Sequence, residues 1–539
     1  MQLPPDDAKS TVRTSMVLTA SQLLSQSLLG ICSVILIRLL LPIEYGIYSI
    51  ALLPYGLLQP VRDLGMHYST QFRISNPATK QKEKVSSLKV GILWELGLGL
   101  LLSLLLYFFS SGLSQIFGNV EIVPVIIASA PALSGMGIVR VVYGSSIALD
   151  KPVSGSLIMI FTAATKLLFS VLLVLLGYGA FGAMIGFSIS TVTSSVLAFI
   201  LAMKFSKMIQ LNLSDELSLS VSNLERLIGM LKFGFPIGVA NLTTLLSSQL
   251  ILFTAATFIS SSSYGIFNSA YVVYIYAYSI FTPLILSLIT MFVRMDTSGS
   301  KGENSFRRTT RLSSILVGFV GLLISLVSIP LTAILFGAAY ETASFYLSFL
   351  GLFLIIFPAI GSLSAGMLLI AKELPYLFSF SNLLASFIGV AIGLIAIPIH
   401  RELGIIIALA VSIGTYTLAY NVFIYRKLMY RLNLHESGKI LFILLSIWSI
   451  GQYISSFQNI AAIWIVVLSA MFSLFTLICF IMTNSLTVKD AKLIQEATYK
   501  LPFIGRIGVL FLRFVIFFNK SEETQEDSTS SNHSEMPRF

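Results

Sequence analysis

The sequence predicts an all-α polytopic membrane protein of about fourteen transmembrane helices. They form two six-helix lobes, related as a parallel repeat, with two extra helices at the C-terminal end. Three observations predict this. The 539 residues are 56% hydrophobic and only 11% charged, with a mean hydropathy of +0.89, whereas a soluble chain is about 25% charged. Apolar stretches of about 20 residues, the length that crosses a bilayer, recur from near residue 14 to residue 483. Basic residues gather in every second connection between them, as the positive-inside rule requires.

In chain order the spans fall near 14–40, 45–68, 88–109, 122–146, 154–176, 180–203, 233–259, 264–291, 312–335, 342–369, 377–398, 404–425, 440–456 and 460–483. The first is too long for a signal-peptide core, and no small-residue cleavage site follows it, so it is expected to remain as a span. Pro54, Pro60, Pro131, Pro283 and Pro358 lie inside spans, where neighbouring helices can satisfy the freed backbone groups. The loop 69–87 carries Arg73, Lys80, Lys82 and Lys84, and 292–311 carries Arg294, Lys301, Arg307, Arg308 and Arg311. The loop 426–439 carries Arg426, Lys427, Arg431 and Lys439, while the intervening loops hold Arg401 alone. Both termini are therefore expected in the cytoplasm, in a multi-pass protein of the cell membrane.

Beyond the last span, Leu501 to Phe518 is apolar but carries Arg506 and Arg513, with Lys520 at the same spacing. It reads as a helix lying in the cytoplasmic interface, within a segment 484–520, or else as a fifteenth span. The acidic, serine-rich residues 521–539 read as a disordered tail.

Composition also excludes functions. Cys32 and Cys479 both fall in apolar spans and read as packing residues rather than a disulfide or metal pair. The four histidines are scattered, so no metal and no cofactor are expected. The net charge of +10 does not imply nucleic acid, because the basic residues sit in short loops between spans.

An internal repeat sets the domain organisation. Tyr45-Gly-Ile-Tyr-Ser-Ile-Ala51 recurs as Tyr264-Gly-Ile-Phe-Asn-Ser-Ala270, and Ala148-Leu-Asp-Lys-Pro152 as Ala371-Lys-Glu-Leu-Pro375. A weaker echo sets Gly182 against Gly404. Residues 1–203 and 233–425 thus read as two lobes, joined by a cytoplasmic linker over 204–232 and followed by two helices over 426–483. Six spans is an even number, so the lobes share one orientation about an axis along the membrane normal.

Charge distinguishes the lobes. Arg38, Arg62, Arg140 and Lys166 lie inside spans of the first; the corresponding spans of the second hold no Lys or Arg. A charge at the bilayer centre costs about 2.5–3.5 kcal/mol on insertion scales, so intramembrane cations read as functional. Together they point to a cavity for an anion. Lys166 lies near mid-span, where its stem snorkels poorly. Arg140 and Arg62 lie nearer the cytoplasmic ends of their spans, and Arg62 has the alternative of pairing with Glu95. Arg38, near the outer end of its span, has the alternative of anchoring there or pairing with Glu44. Asp63 and Glu95 are the only acids well inside spans. They read either as coupling sites for Na⁺ or H⁺ or as counter-ions of the cations.

The run Ile37-Arg38-Leu39-Leu40-Leu41-Pro42-Ile43-Glu44-Tyr45-Gly46-Ile47-Tyr48 resembles the opening signature of the polysaccharide flippases, the Wzx-type branch of the MOP (multidrug/oligosaccharidyl-lipid/polysaccharide) exporter superfamily. Asp63-Leu64-Gly65 with Arg73 resembles the end of that family's second helix, and Arg140, Gly144 and Ala148 its fourth. Gly177, Gly179 and Gly182 resemble its fifth-to-sixth turn, and Lys232-Phe233-Gly234-Phe235-Pro236 the start of its second lobe. The resemblance implies a V-shaped two-lobe fold and a lipid-linked oligosaccharide substrate whose phosphate or pyrophosphate suits a cationic cavity. It implies membrane lipids and glycan-assembly enzymes as partners. A drug or cation antiporter of the same superfamily would need an acidic cavity instead. A membrane glycan polymerase or ligase would need a sizeable external loop; the outer loops are short and show no nucleophile–base pair, so no enzyme activity is expected.

Overall fold

The computed structural model describes residues 5–209, 221–294, 300–455, 462–483, 485–486 and 515. The described residues are almost entirely helical. They divide into two compact units, one formed by residues 1–286, 331–347 and 372–419, the other by 287–330, 348–371 and 420–539. The expected interfacial stretch and acidic tail lie outside the described residues, apart from Val515.

The chain opens with α1 (Pro5–Leu39), α2 (Pro42–Asp63) and the short α3 (Met66–Ser75). Pro42 follows an extended Leu41 and occupies the first turn of α2, where its fixed φ suits a helix start and its missing N–H costs nothing. The helix ends at Leu64 and Gly65, both at positive φ. Next come α4 (Gln81–Ile116), α5 (Ile122–Ala148) and α6 (Pro152–Leu173), then a tight turn over Val174–Tyr178 into α7 (Gly179–Met208). Within the first unit α5 packs on α2, α3, α4 and α7, which makes it the central helix of the cation-bearing region.

The helices α8 (Val221–Phe258), α9 (Ser261–Ser279) and α10 (Thr282–Arg294) follow, and α8 begins inside the expected linker. Then come α11 (Ser300–Leu326), α12 (Ser328–Phe336), α13 (Ala343–Ala359) and α14 (Ser362–Ala371). The last are α15 (Pro375–His400), α16 (Glu402–Leu428), α17 (Leu434–Ser455) and α18 (Ala462–Met482). The second unit has its own core, in which Ile315 and Leu322 of α11 meet Ile440, Leu444 and Ile447 of α17 and Phe480 of α18.

Among the described residues ten helices are long and apolar enough to cross a membrane, or eleven if α13 and α14, bent by 49°, are one span. This identifies a multi-pass membrane protein. The stretch Pro152–Met208 in that count contains two of the expected spans. The expected spans near 45–68 and 264–291 are helical but interrupted, the first at Leu64–Gly65 and the second at Ile280–Phe281.

The three sequence echoes coincide with matching backbone geometry. Gly46 of α2 and Gly265 of α9 touch: a Cβ on Gly46 would overlap the Ser261 carbonyl, and one on Gly265 would overlap the Pro42 carbonyl and lie 2.8 Å from Gly46 N. Three residues on, the Asn268 side-chain amide donates to Ser49 Oγ at 2.9 Å. Each contact joins a residue to its own counterpart in the repeat, so the two helices run parallel with the repeat axis between them. Asp150 before Pro152 has φ +54° and Glu373 before Pro375 has φ +60°. Gly179 at the start of α7 and Arg401 just before α16 have similar φ/ψ of +50°/−138° and +51°/−121°.

Candidate functional site

The C-terminal end of α2 carries a dense cluster of charge. Arg62 and Glu95 of α4 are both fully buried, and Arg62 Nε lies 2.6 Å from Glu95 Oε2. A second guanidinium nitrogen, NH1, donates to the Leu133 carbonyl of α5. The pair fits because α5 presents a glycine to it: a Cβ on Gly137 would stand 3.1 Å from Arg62 Nε and overlap Glu95 Oε2. Trp94 Nε1 of α4 donates to the Arg62 carbonyl at 3.1 Å and ties α4 to the backbone of α2. A buried ion pair of this kind holds its partners strongly, because either charge alone is destabilising by about 3–5 kcal/mol.

The neighbouring Asp63 turns elsewhere. Its Oδ1 lies 2.6 Å from His67 Nδ1 of α3, one helical turn on. The bend between α2 and α3 brings this segment against α8. A Cβ on Gly65 would overlap the Gly234 carbonyl, and Phe72 stacks on Phe233 at 4.5 Å. Two stretches that the sequence singles out separately, Asp63-Leu64-Gly65 and Lys232 to Pro236, are thus one contact.

Arg140 of α5 and Lys166 of α6 are half-buried, and neither has a carboxylate partner among the described residues. The Lys166 ammonium sits 4.8 Å from the centre of the Phe187 ring of α7, a cation–π contact worth about 0.5–2 kcal/mol. Phe187 in turn meets Tyr55 of α2 edge-on at 5.3 Å. Arg62, Arg140 and Lys166 all lie within electrostatic range of the Tyr55 hydroxyl, and Arg140 also of Asp63. The structure therefore gathers three of the four sequence-selected cations around Tyr55. Of these Arg62 is spent on Glu95, whereas Arg140 and Lys166 have no carboxylate partner among the described residues.

Arg38 lies apart. It is exposed at the end of α1, and its guanidinium donates to the Ile334 carbonyl at 2.5 Å. Glu44 rests against Gly179 instead, whose Cβ position is 2.8 Å from Glu44 Oε1. Beside this end, Tyr340 donates to the Leu40 carbonyl at 3.0 Å, and burial pushes its hydroxyl pKa up.

Sequence reasoning missed an aromatic face on α9. Tyr271 lies 5.8 Å from Tyr274, which stacks on Tyr278 at 6.5 Å, while Phe267 stacks on Tyr271 at 6.0 Å. Tyr276 points differently, onto Gly30 of α1, and its hydroxyl is 3.3 Å from Ser33 Oγ. The signal was present in the spacing, since 271, 274 and 278 share one helical stripe. Of the uncharged polar side chains nearby, Asn268 is engaged with Ser49 and Tyr45 at the α2–α9 contact, and Gln249 lies against Gly56. No group of His, Cys, Asp or Glu suited to a metal occurs among the described residues.

Comparisons with known proteins bear on this arrangement. Among solved structures, the lipid II flippase MurJ in an inward closed conformation aligns with a TM-score of 0.65 at 14% identity, over 86% of this chain and 97% of that one. An inward-facing multidrug resistance MATE family transporter of the MOP superfamily aligns with a TM-score of 0.63 at 14% identity, over 75% and 94%. A MOP superfamily transporter from Pyrococcus furiosus aligns with a TM-score of 0.53 at 15% identity, over 78% and 96%. At these identities the likeness is one of fold. A search of curated proteins gave no significant match. The family described as polysaccharide biosynthesis protein matches residues 35–345, which takes in α2 through α12 and all the intramembrane cations. The chain, a membrane protein with the MOP transporter fold, belongs to this polysaccharide biosynthesis family.

Proposed function

We propose that the protein is a flippase that moves a lipid-linked oligosaccharide, a polyisoprenyl phosphate or pyrophosphate glycan, across the cytoplasmic membrane. The observation that carries this reading is the pair Arg140 and Lys166, half-buried and without a carboxylate partner among the described residues, beside Tyr55. Such cations are costly in an apolar medium unless an anion meets them. A phosphate does so with charge-assisted hydrogen bonds, and arginine's fork matches its oxygens. The tyrosine face of α9 offers flat apolar surfaces and hydroxyl donors to sugars, with no charge to bind them too tightly to release. Arg62 and Glu95 serve as the rigid support of the site, and Asp63 with His67 as a separate local pair. Residues 1–203 and 233–425 are the two lobes whose alternate opening moves the head group.

The fold likeness to multidrug transporters and the buried acids Asp63 and Glu95 favour a second reading, a drug or cation antiporter. It is the weaker one, because Arg62 neutralises Glu95 and cations outnumber acids around Tyr55. Deleting the gene and identifying by mass spectrometry the lipid-linked glycan that accumulates in the inner leaflet tests the first reading; unchanged glycan lipids with increased drug sensitivity would favour the second. The orientation is testable separately. With both termini cytoplasmic, cysteines placed in 110–121 and 336–341 label from outside with a membrane-impermeant reagent, and those in 69–87 and 292–311 do not.

A further inference from the structure

The second unit holds a basic cavity that the transport reading does not use. It has a volume of about 310 Å³, lies between the start of α11 and the α16–α17 connection, and is lined by Arg307, Arg308 and Arg311 with Asn433, Glu436 and Ser437. Its wall is fixed. Glu303 Oε1 accepts from Arg307 NH2 at 2.7 Å and from the Arg431 backbone N–H at 3.0 Å, and Arg307 Nε donates to the Arg431 carbonyl at 2.9 Å. Asn433 caps α17, accepting from the Glu436 N–H at 3.4 Å, so the positive end of that 22-residue helix also borders the cavity. The one carboxylate in the lining, Glu436, has Lys439 at 3.6 Å to offset it. The surroundings are amphiphilic. Arg311 is the last charged residue before α11 turns apolar at Leu312, and Met429 and Leu434 near the cavity are 69% and 74% exposed.

We propose that this cavity binds the phosphate of an anionic phospholipid head group, with the exposed apolar residues beside it against the acyl chains. Three arginines and a helix N-terminus recognise a phosphate, and the abrupt change from charged to apolar along α11 sets the cavity at head-group depth. A free phosphate offers the same chemistry to the arginines but gives the apolar rim nothing to cover. Assignment to the inner leaflet rests on the proposed orientation; lipid binding itself does not.

The test is native mass spectrometry of the full chain purified in micelles doped with phosphatidylglycerol or phosphatidylcholine. The wild-type protein retains phosphatidylglycerol in preference to phosphatidylcholine. The double variant Arg308→Gln, Arg311→Gln retains about tenfold less, from the loss of charge-assisted contacts. Should the double variant fail to fold, Arg308→Gln alone, at an exposed side chain, carries the same reading with a smaller loss. Millimolar inorganic phosphate leaves the lipid in place. Equal retention of the two lipids, or equal retention by wild type and variants, overturns the proposal. So does displacement by inorganic phosphate, which assigns the cavity to a free anion. An equal loss in Lys151→Gln, at an exposed cation of the other unit, reduces the effect to general surface charge and overturns it too.

Discussion

Helices α2 and α9 begin alike and end differently. Both open on Tyr-Gly-Ile, both bury that tyrosine, and their glycines meet across the repeat axis. Past that contact, α2 carries Pro54, Tyr55, Pro60 and then the buried Arg62 and Asp63. The matching stretch of α9 has no charge and a row of three tyrosines in ring contact. The shared half maintains a close parallel crossing, which needs small residues and tolerates little else. The divergent halves are where one copy acquired charge and the other aromatic surface. Duplication supplied a scaffold twice, and the chemistry was written separately on each copy.

The strongest way to break this comparison is to remove a partner from the charged copy. Glu95→Ala leaves Arg62 fully buried without its counter-ion and is expected to destabilise by about 3–5 kcal/mol. Steady-state abundance falls sharply, and combining it with Arg62→Met recovers much of the loss. Full abundance of the single variant would show that the pair has no structural weight. Lys166→Ala and Arg140→Ala should act oppositely. Each removes a charged contact to phosphate worth about 1.5–3 kcal/mol, so glycan export is lost while membrane abundance stays near wild type. Normal export by Lys166→Ala would remove the support for an anion site.

The symmetric half is tested by Gly46→Ala and Gly265→Ala. Each added methyl meets backbone rather than a flexible side chain, so overpacking costs about 1–3 kcal/mol in thermal unfolding of the purified protein. Similar losses from both are expected; a large loss from one alone would mean that the crossing is not symmetric. On the aromatic copy, Tyr274→Ala should reduce transport several-fold, from about 0.5–1.5 kcal/mol of ring contact, and Tyr274→Phe should retain most of it. The smallest effect sits where the copies differ by one residue. Arg401 adopts the backbone conformation that its counterpart Gly179 adopts as glycine. Arg401→Gly should therefore raise stability by roughly 1 kcal/mol, relieving a positive-φ strain.

The repeat was legible in the sequence because its echoes fall at special backbone positions. Pro152 and Pro375 start helices, and the residues two before them turn left-handed in both copies. The four intramembrane cations were legible because charge is rare in an apolar chain. Their division of labour was legible only in part. The sequence offered Glu95 as a partner for Arg62, but the two pair because Glu95 and Gly137 on two other helices meet at the depth of Arg62, and that meeting depends on helix rotation. The break at Leu64 was marked by Asp63-Leu64-Gly65, whereas at Ile280 only Pro283 punctuates an uncharged run and the interruption is one of backbone direction. The tyrosine stripe lay in the spacing, but spacing alone does not separate it from the tyrosines common at membrane interfaces.

The separation of partners along the chain bears on how the protein is made. Arg62 and Glu95 are 33 positions apart, whereas Gly46 and Gly265 are 219 apart. At a synthesis rate of about 5–20 residues per second, Glu95 follows Arg62 off the ribosome within roughly 2–7 seconds. Gly46 waits roughly 10–45 seconds for its counterpart. The group that lipid tolerates worst meets its partner early, from the next long helix to emerge. The group left waiting is a bare glycine face, which lipid tails cover at little cost. An order of arrival is thus built into the chain, with charge neutralised locally before the two copies of the repeat close on each other.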